Sequence, residues 1–150
     1  MKTHRSRRRS LGFTFVELMC TVAAVSVLSS IAYPGYQSVV HKVRRSDGRM
    51  SLLMVHLAQE RFRAEHPGYA GSMGDMGMAT KSPSGHYQLA VASANESSFQ
   101  ADAQALGAQA SDTPCRYLRL TVQGSTASYA SGSDATLANP DAANRRCWSL

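Results

Sequence analysis

Few residues in this chain could carry chemistry, and they stand far apart. Glu17 is the one charge in the 21-residue run from Phe13 to Tyr33, FTFVELMCTVAAVSVLSSIAY. A carboxylate in an apolar helix is costly unless it is matched, so its presence there points to a pairing role. Cys115 and Cys147 stand 32 positions apart, neither belongs to a CxxC pair, and no histidine is close to either. That pattern favours a disulfide over a metal site, and closing such a loop contributes roughly 3–4 kcal/mol. Cys20 lies inside the apolar run and reads as a small hydrophobe. The five histidines (4, 41, 56, 66 and 86) form no ligand pair. HExxH, GxSxG and GxGxxG are all absent, so no catalytic residue, metal or cofactor is expected.

The elements that must position these residues follow from charge and periodicity. The 150 residues are 43% hydrophobic and 17% charged, enough for one ordinary domain and too apolar for a disordered chain. The formal charge is +6, yet Lys2, Arg5, Arg7, Arg8 and Arg9 all precede Gly12, and beyond it eleven basic residues face ten acidic ones. Basicity is thus a property of the leader, which weakens a general nucleic-acid reading. As a helix the apolar run would be roughly 31 Å long, enough to cross a bilayer. The basic leader before it would hold the N-terminus in the cytoplasm and send the rest outward.

Pro34-Gly35 is expected to kink or loosen this helix rather than end it. From Tyr36 to Glu65, Val39, Val43, Met50, Leu53, Met54 and Leu57 recur at helical spacings, and ordinary core packing is the expected fate of such a stripe. His66-Pro67-Gly68 stops the helix. A Gly-, Met- and Ser-rich loop should follow, and alternation predicts strands at 86–92, 98–103, 117–122 and 126–129. Residues 131–146 read as loop by composition. The expected fold is α+β: a long helix whose apolar stripe covers one face of a small antiparallel sheet.

Gly12-Phe13-Thr14-Phe15-Val16-Glu17-Leu18-Met19, with a basic leader before it and an apolar helix and YPGYQ after it, resembles the processing signature of type IV pilins. The resemblance implies a leader at 1–12, an anchor at 13–35, an amphipathic helix half at 36–65 and a globular head at 66–150. In the head it implies a loop at 66–84, a sheet at 85–130 and a disulfide-bounded region at 115–147. It also implies cleavage between Gly12 and Phe13 by a prepilin peptidase, N-methylation of Phe13, and assembly through Glu17 of one subunit and the Phe13 amine of another. The paired cysteines look most like those of PilE-type minor pilins, although Arg116 stands where many of these carry glycine.

The implied function is that of a minor pilus subunit supporting biogenesis, adhesion, twitching or DNA uptake. Its implied partners are other pilins, the peptidase and the inner-membrane assembly machinery. The implied location is the inner membrane with a periplasmic head, and then the extracellular fibre. A type II secretion pseudopilin is the nearest alternative. A DNA-capturing pilin is another, since Arg116, Arg119, Arg145 and Arg146 would gather around a Cys115–Cys147 bridge. Weak, salt-sensitive binding would follow, unless these arginines form only a solvated edge balanced by Asp112 and Asp141.

Overall fold

The structure, a computed structural model, describes residues 12–150. The leader residues Lys2, Arg5, Arg7, Arg8 and Arg9 lie outside the described part. The chain divides into two compact units, one ending at Ser38 and the other running from Val39 to Leu150.

A single helix, α1 (Phe15–Glu65), contains both predicted helical segments and continues through Pro34. Thr14 and Glu17 start it by capping each other. The Glu17 N–H donates to Thr14 Oγ1 at 3.3 Å, and Glu17 Oε2 accepts the Thr14 N–H at 2.8 Å. Within the apolar part, the hydroxyls of Thr21, Ser26 and Ser30 donate to the carbonyls of Leu18, Val22 and Val27. Polar groups satisfied inside their own helix suit a hydrocarbon environment, where no water is available to take their place. This is one helix long and apolar enough to cross a membrane, and no residue of its most apolar stretch is buried.

In the second unit, four antiparallel strands form a meander: β1 (Tyr87–Ala94), β2 (Ser98–Ala105), β3 (Tyr117–Gln123) and β4 (Thr126–Gly132). All four were anticipated, and a bulge between Val91 and Ser93 interrupts the β1 register. Period-two alternation buries Leu118, Leu120 and Val122 of β3 and Phe99, Ala101 and Ala103 of β2 on one face. α1 covers this face, but not with the expected stripe. Its buried residues are Gly48, Ser51, Leu52, Val55 and Gln59. The residues anticipated in the core, from Val39 to Leu57, are instead 40–64% exposed.

The reason is steric. An added Cβ at Gly48 would lie 3.0 Å from three atoms of the Tyr87 ring, so bare backbone is what lets this fully buried ring approach the helix. Gln59, also buried, holds the start of the following loop by accepting the Ala70 N–H and donating to the Ala70 carbonyl. Asp47 holds its end, accepting from the Ser82 hydroxyl and from the Ser84 and His86 N–H groups.

A second correction concerns the tail. Part of the segment expected to be loop is a helix, α2 (Asp141–Trp148). Pro140 precedes it, Asp141 occupies the first turn, Arg145 and Arg146 the last, and Ser149 ends it in the left-handed conformation. Acid first and base last complement the helix dipole, a signal that overall composition conceals. The Cys115–Cys147 disulfide, with a Cα–Cα distance of 5.4 Å, ties α2 to the turn before β3. Trp148 packs on Tyr129 with ring centroids 4.7 Å apart, and its Nε1–H donates to the Ala130 carbonyl at 3.0 Å.

Two outcomes follow. Gly48→Val should destabilise the head by about 1–3 kcal/mol in urea unfolding, because its γ-carbons must displace Tyr87. Burial pushes the Tyr87 phenol up to about 12. A tyrosine in the unfolded chain titrates near 10, so between these pH values the unfolded state releases a proton that the folded state keeps. Stability contributed below about pH 10 should therefore be lost by about pH 12, with a fall of about 2–3 kcal/mol that Tyr87→Phe removes.

Candidate functional site

The first candidate surface is the start of α1. Phe13 is 88% exposed, and Glu17 is exposed as well. The Glu17 carboxylate takes both the N–H and the hydroxyl of Thr14, at 2.8 and 2.9 Å. In the single chain it is thus a capping acid with a satisfied partner. The sequence reading overlooked this role, although Thr14-x-x-Glu17 directly before an apolar run is its signature. Gly12, like Phe13, precedes the helix in non-regular, exposed backbone.

The second surface is the outward side of α1 within the head. Val39, Val43, Met50, Leu53, Met54 and Leu57 stay exposed there. Met50 takes part in two shallow apolar grooves. One, of about 290 Å³, runs between α1 and Tyr129, Trp148 and Leu150. The other, of about 270 Å³, is closed by Met78, Pro83 and Leu89. An apolar surface this continuous suits association with another protein surface.

The third surface is basic. The four arginines proposed to surround the disulfide do not act as one set. Arg119 lies on the outer face of β3 opposite Asp102 of β2, and its Nε and Nη2 both donate to that carboxylate at 2.6 Å. The hydrogen bonds from Arg119 to Asp102 raise its pKa, and the pair is neutral overall. Arg116 donates through Nε to the Ala110 carbonyl at 2.9 Å. Arg145 and Arg146, both exposed, line a depression of about 490 Å³ between α2 and α1, opposite Lys42 and Arg45.

Arg45 is engaged elsewhere. Its Nε and Nη2 donate to Asp112 at 2.6 and 2.7 Å, and those bonds push its pKa up. Asp112 is buried and also accepts from Gln109 Nε2 at 3.0 Å, while Gln109 donates to the Tyr87 hydroxyl at 3.2 Å. A buried, doubly bonded carboxylate of this kind costs several kcal/mol to strip of its partner, so Arg45 braces the fold. Lys42 is the member of the basic surface that the sequence reading missed. Only the packing of α2 on α1 brings it beside Arg145 and Arg146. Among the described residues no group of three or more His, Cys, Asp or Glu side chains is placed to hold a metal ion.

Comparison with known proteins fits this arrangement. Residues 7–33 match the prokaryotic N-terminal methylation motif. Residues 34–119, more than half of the chain, match the family described as type IV minor pilin ComP, DNA uptake sequence receptor. The type IV major pilin protein PilA of Myxococcus xanthus (strain DK1622) is 30% identical over 79 residues. That alignment spans 53% of this chain and 36% of PilA, so the chain covers about a third of the length of this relative. A methylation motif, a long apolar helix on a four-stranded antiparallel sheet and a C-terminal disulfide come together in one chain, and it belongs to the ComP family of type IV minor pilins.

Proposed function

We propose that this protein is a minor subunit of a type IV pilus that serves DNA uptake. It waits in the inner membrane with its N-terminus in the cytoplasm and its head in the periplasm. A prepilin peptidase cuts after Gly12 and methylates Phe13, and the inner-membrane machinery then stacks the subunit with other pilins. The observation that carries this reading is the apolar outward side of α1, which the head leaves uncovered from Val39 to Leu57. The apolar stretch of the first unit is likewise unburied, and each of the two offers apolar surface for helix-on-helix packing.

Glu17 sets the register in this reading. Thr14 satisfies the carboxylate while the subunit is alone, and in a bundle the Phe13 amine of a neighbour offers a charged partner. Every wrong axial offset would leave an acid unmatched among apolar side chains, so a single charge can select one alignment. The match to minor pilins favours a pilus over a secretion pseudopilus. The DNA role rests on the match to a family of DNA uptake sequence receptors and on the exposed arginines of α2.

Protein recovered from its native membrane should have a mass that begins at Phe13 and carries one added methyl group; a chain still beginning at Met1 contradicts the reading. Glu17→Val should insert into the membrane normally, yet its amount in sheared filaments should fall at least about tenfold, as expected when one acid–amine pair is lost from an apolar bundle. Wild-type incorporation of that variant would remove Glu17 from assembly.

A further inference from the structure

Of the seven methionines in the chain, three meet at one groove. Met50 and Met54 stand one helical turn apart on the outward side of α1, 54% and 52% exposed. Met78 lines the same groove from the Gly-, Met- and Ser-rich loop and is partly buried. Met50 also lines the neighbouring groove beside Tyr129 and Trp148, so it belongs to both apolar hollows. Met73, by contrast, is 3% exposed and sits in the core.

On this surface a thioether is the side chain that combines apolar packing with redox chemistry. Val39, Val43, Leu53 and Leu57, the other exposed apolar residues between Val39 and Leu57, are inert to mild oxidants. Hydrogen peroxide is a sufficient oxidant for methionine. A sulfur lone pair attacks one peroxide oxygen, and the S–O bond forms as the O–O bond breaks. The departing hydroxide takes up the remaining proton and leaves as water. Sulfur gives up two electrons and the peroxide is reduced. Methionine sulfoxide reductases, driven by thiols, return the thioether and release water, so the change is reversible.

The product alters what the groove can pack against. A sulfoxide oxygen is a strong hydrogen-bond acceptor, and burying one without a donor costs enough to shift an association about tenfold. Lys81 is exposed, lines the groove, and offers an ammonium donor to that oxygen while water still reaches both. Apolar side chains of a neighbouring subunit would strip water from the pair, so oxidation favours the open groove. The core of the head does not depend on either methionine, because α1 enters it through Gly48, Ser51, Leu52, Val55 and Gln59.

We propose that Met50 and Met54 form a reversible oxidation site, at which hydrogen peroxide converts the thioethers to sulfoxides and withholds the subunit from assembly. The inference rests on the pilus-subunit reading, in which neighbours cover the outward side of α1. The test starts with cells from which existing filaments have been sheared. A brief hydrogen peroxide pulse follows, and new filaments and membranes are then recovered separately for peptide mapping of the added oxygen. In the membrane pool, sulfoxide at Met50 and Met54 should exceed that at buried Met73 at least about tenfold, as exposure dictates. The same two sulfoxides should be at least about tenfold scarcer in new filaments than in the membrane pool.

The double variant Met50→Leu, Met54→Leu keeps apolar volume and retains Met19, Met76 and Met78. It should continue to enter filaments through a pulse that lowers incorporation of the wild-type chain. Equal sulfoxide at Met50 and Met54 in the two pools, or no sulfoxide there in either, would overturn the inference and leave the pilus reading standing. An equal loss of incorporation by the double variant would also overturn it, by moving the sensitive group elsewhere. Absence of the protein from filaments with and without peroxide would overturn the inference and the pilus reading together.

Discussion

The approach of the Tyr87 ring to the bare backbone at Gly48 determines which side of α1 meets the sheet. A fully buried ring needs a neighbour without a side chain, and Gly48 supplies it at the point where the helix crosses the sheet. Ser51, Leu52, Val55 and Gln59 follow on the same side at helical intervals and are buried with it. The longer apolar residues are thereby turned outward. Among the described residues the head thus closes its own core while leaving a second apolar surface uncovered, a division that the proposed packing on other subunits requires.

Polar side chains do the work of positioning around this contact. Gln59 and Asp47 satisfy the backbone at the two ends of the loop between α1 and β1. The chain of Arg45, Asp112, Gln109 and Tyr87 joins helix, turn and sheet in one buried network. Groups of this kind are costly when unpaired, so each fixes one arrangement of the segments it connects. The same pairings sort the surface charges. Asp112 and Asp102 neutralise one arginine each, while Lys42, Arg145 and Arg146 line the depression where α2 faces α1.

The C-terminal segment gains its geometry from contacts rather than from length. α2 is only eight residues long, too short to persist as a helix by itself. The disulfide, the Trp148–Tyr129 contact and the Arg49 bond to the Trp148 carbonyl hold it in place. A short helix anchored in this way can carry exposed arginines at fixed positions without contributing much core of its own.

Much of this protein is legible in its residues. The apolar run with its lone Glu17, the Gly12-Phe13 junction and the period-two strands are local patterns, set by side-chain chemistry and backbone spacing. The two outer cysteines are legible too, because few alternatives exist for them. The side of α1 that enters the core is not legible, because hydrophobicity favours Val39, Met50 and Leu57, whereas close packing of a ring selects Gly48. Nor is the basic depression, since Lys42 and Arg146 lie 104 positions apart and meet only when α2 docks. Sequence settles what each segment can become; which faces stay free depends on long-range steric fit and charge pairing, and these exist only in the folded chain.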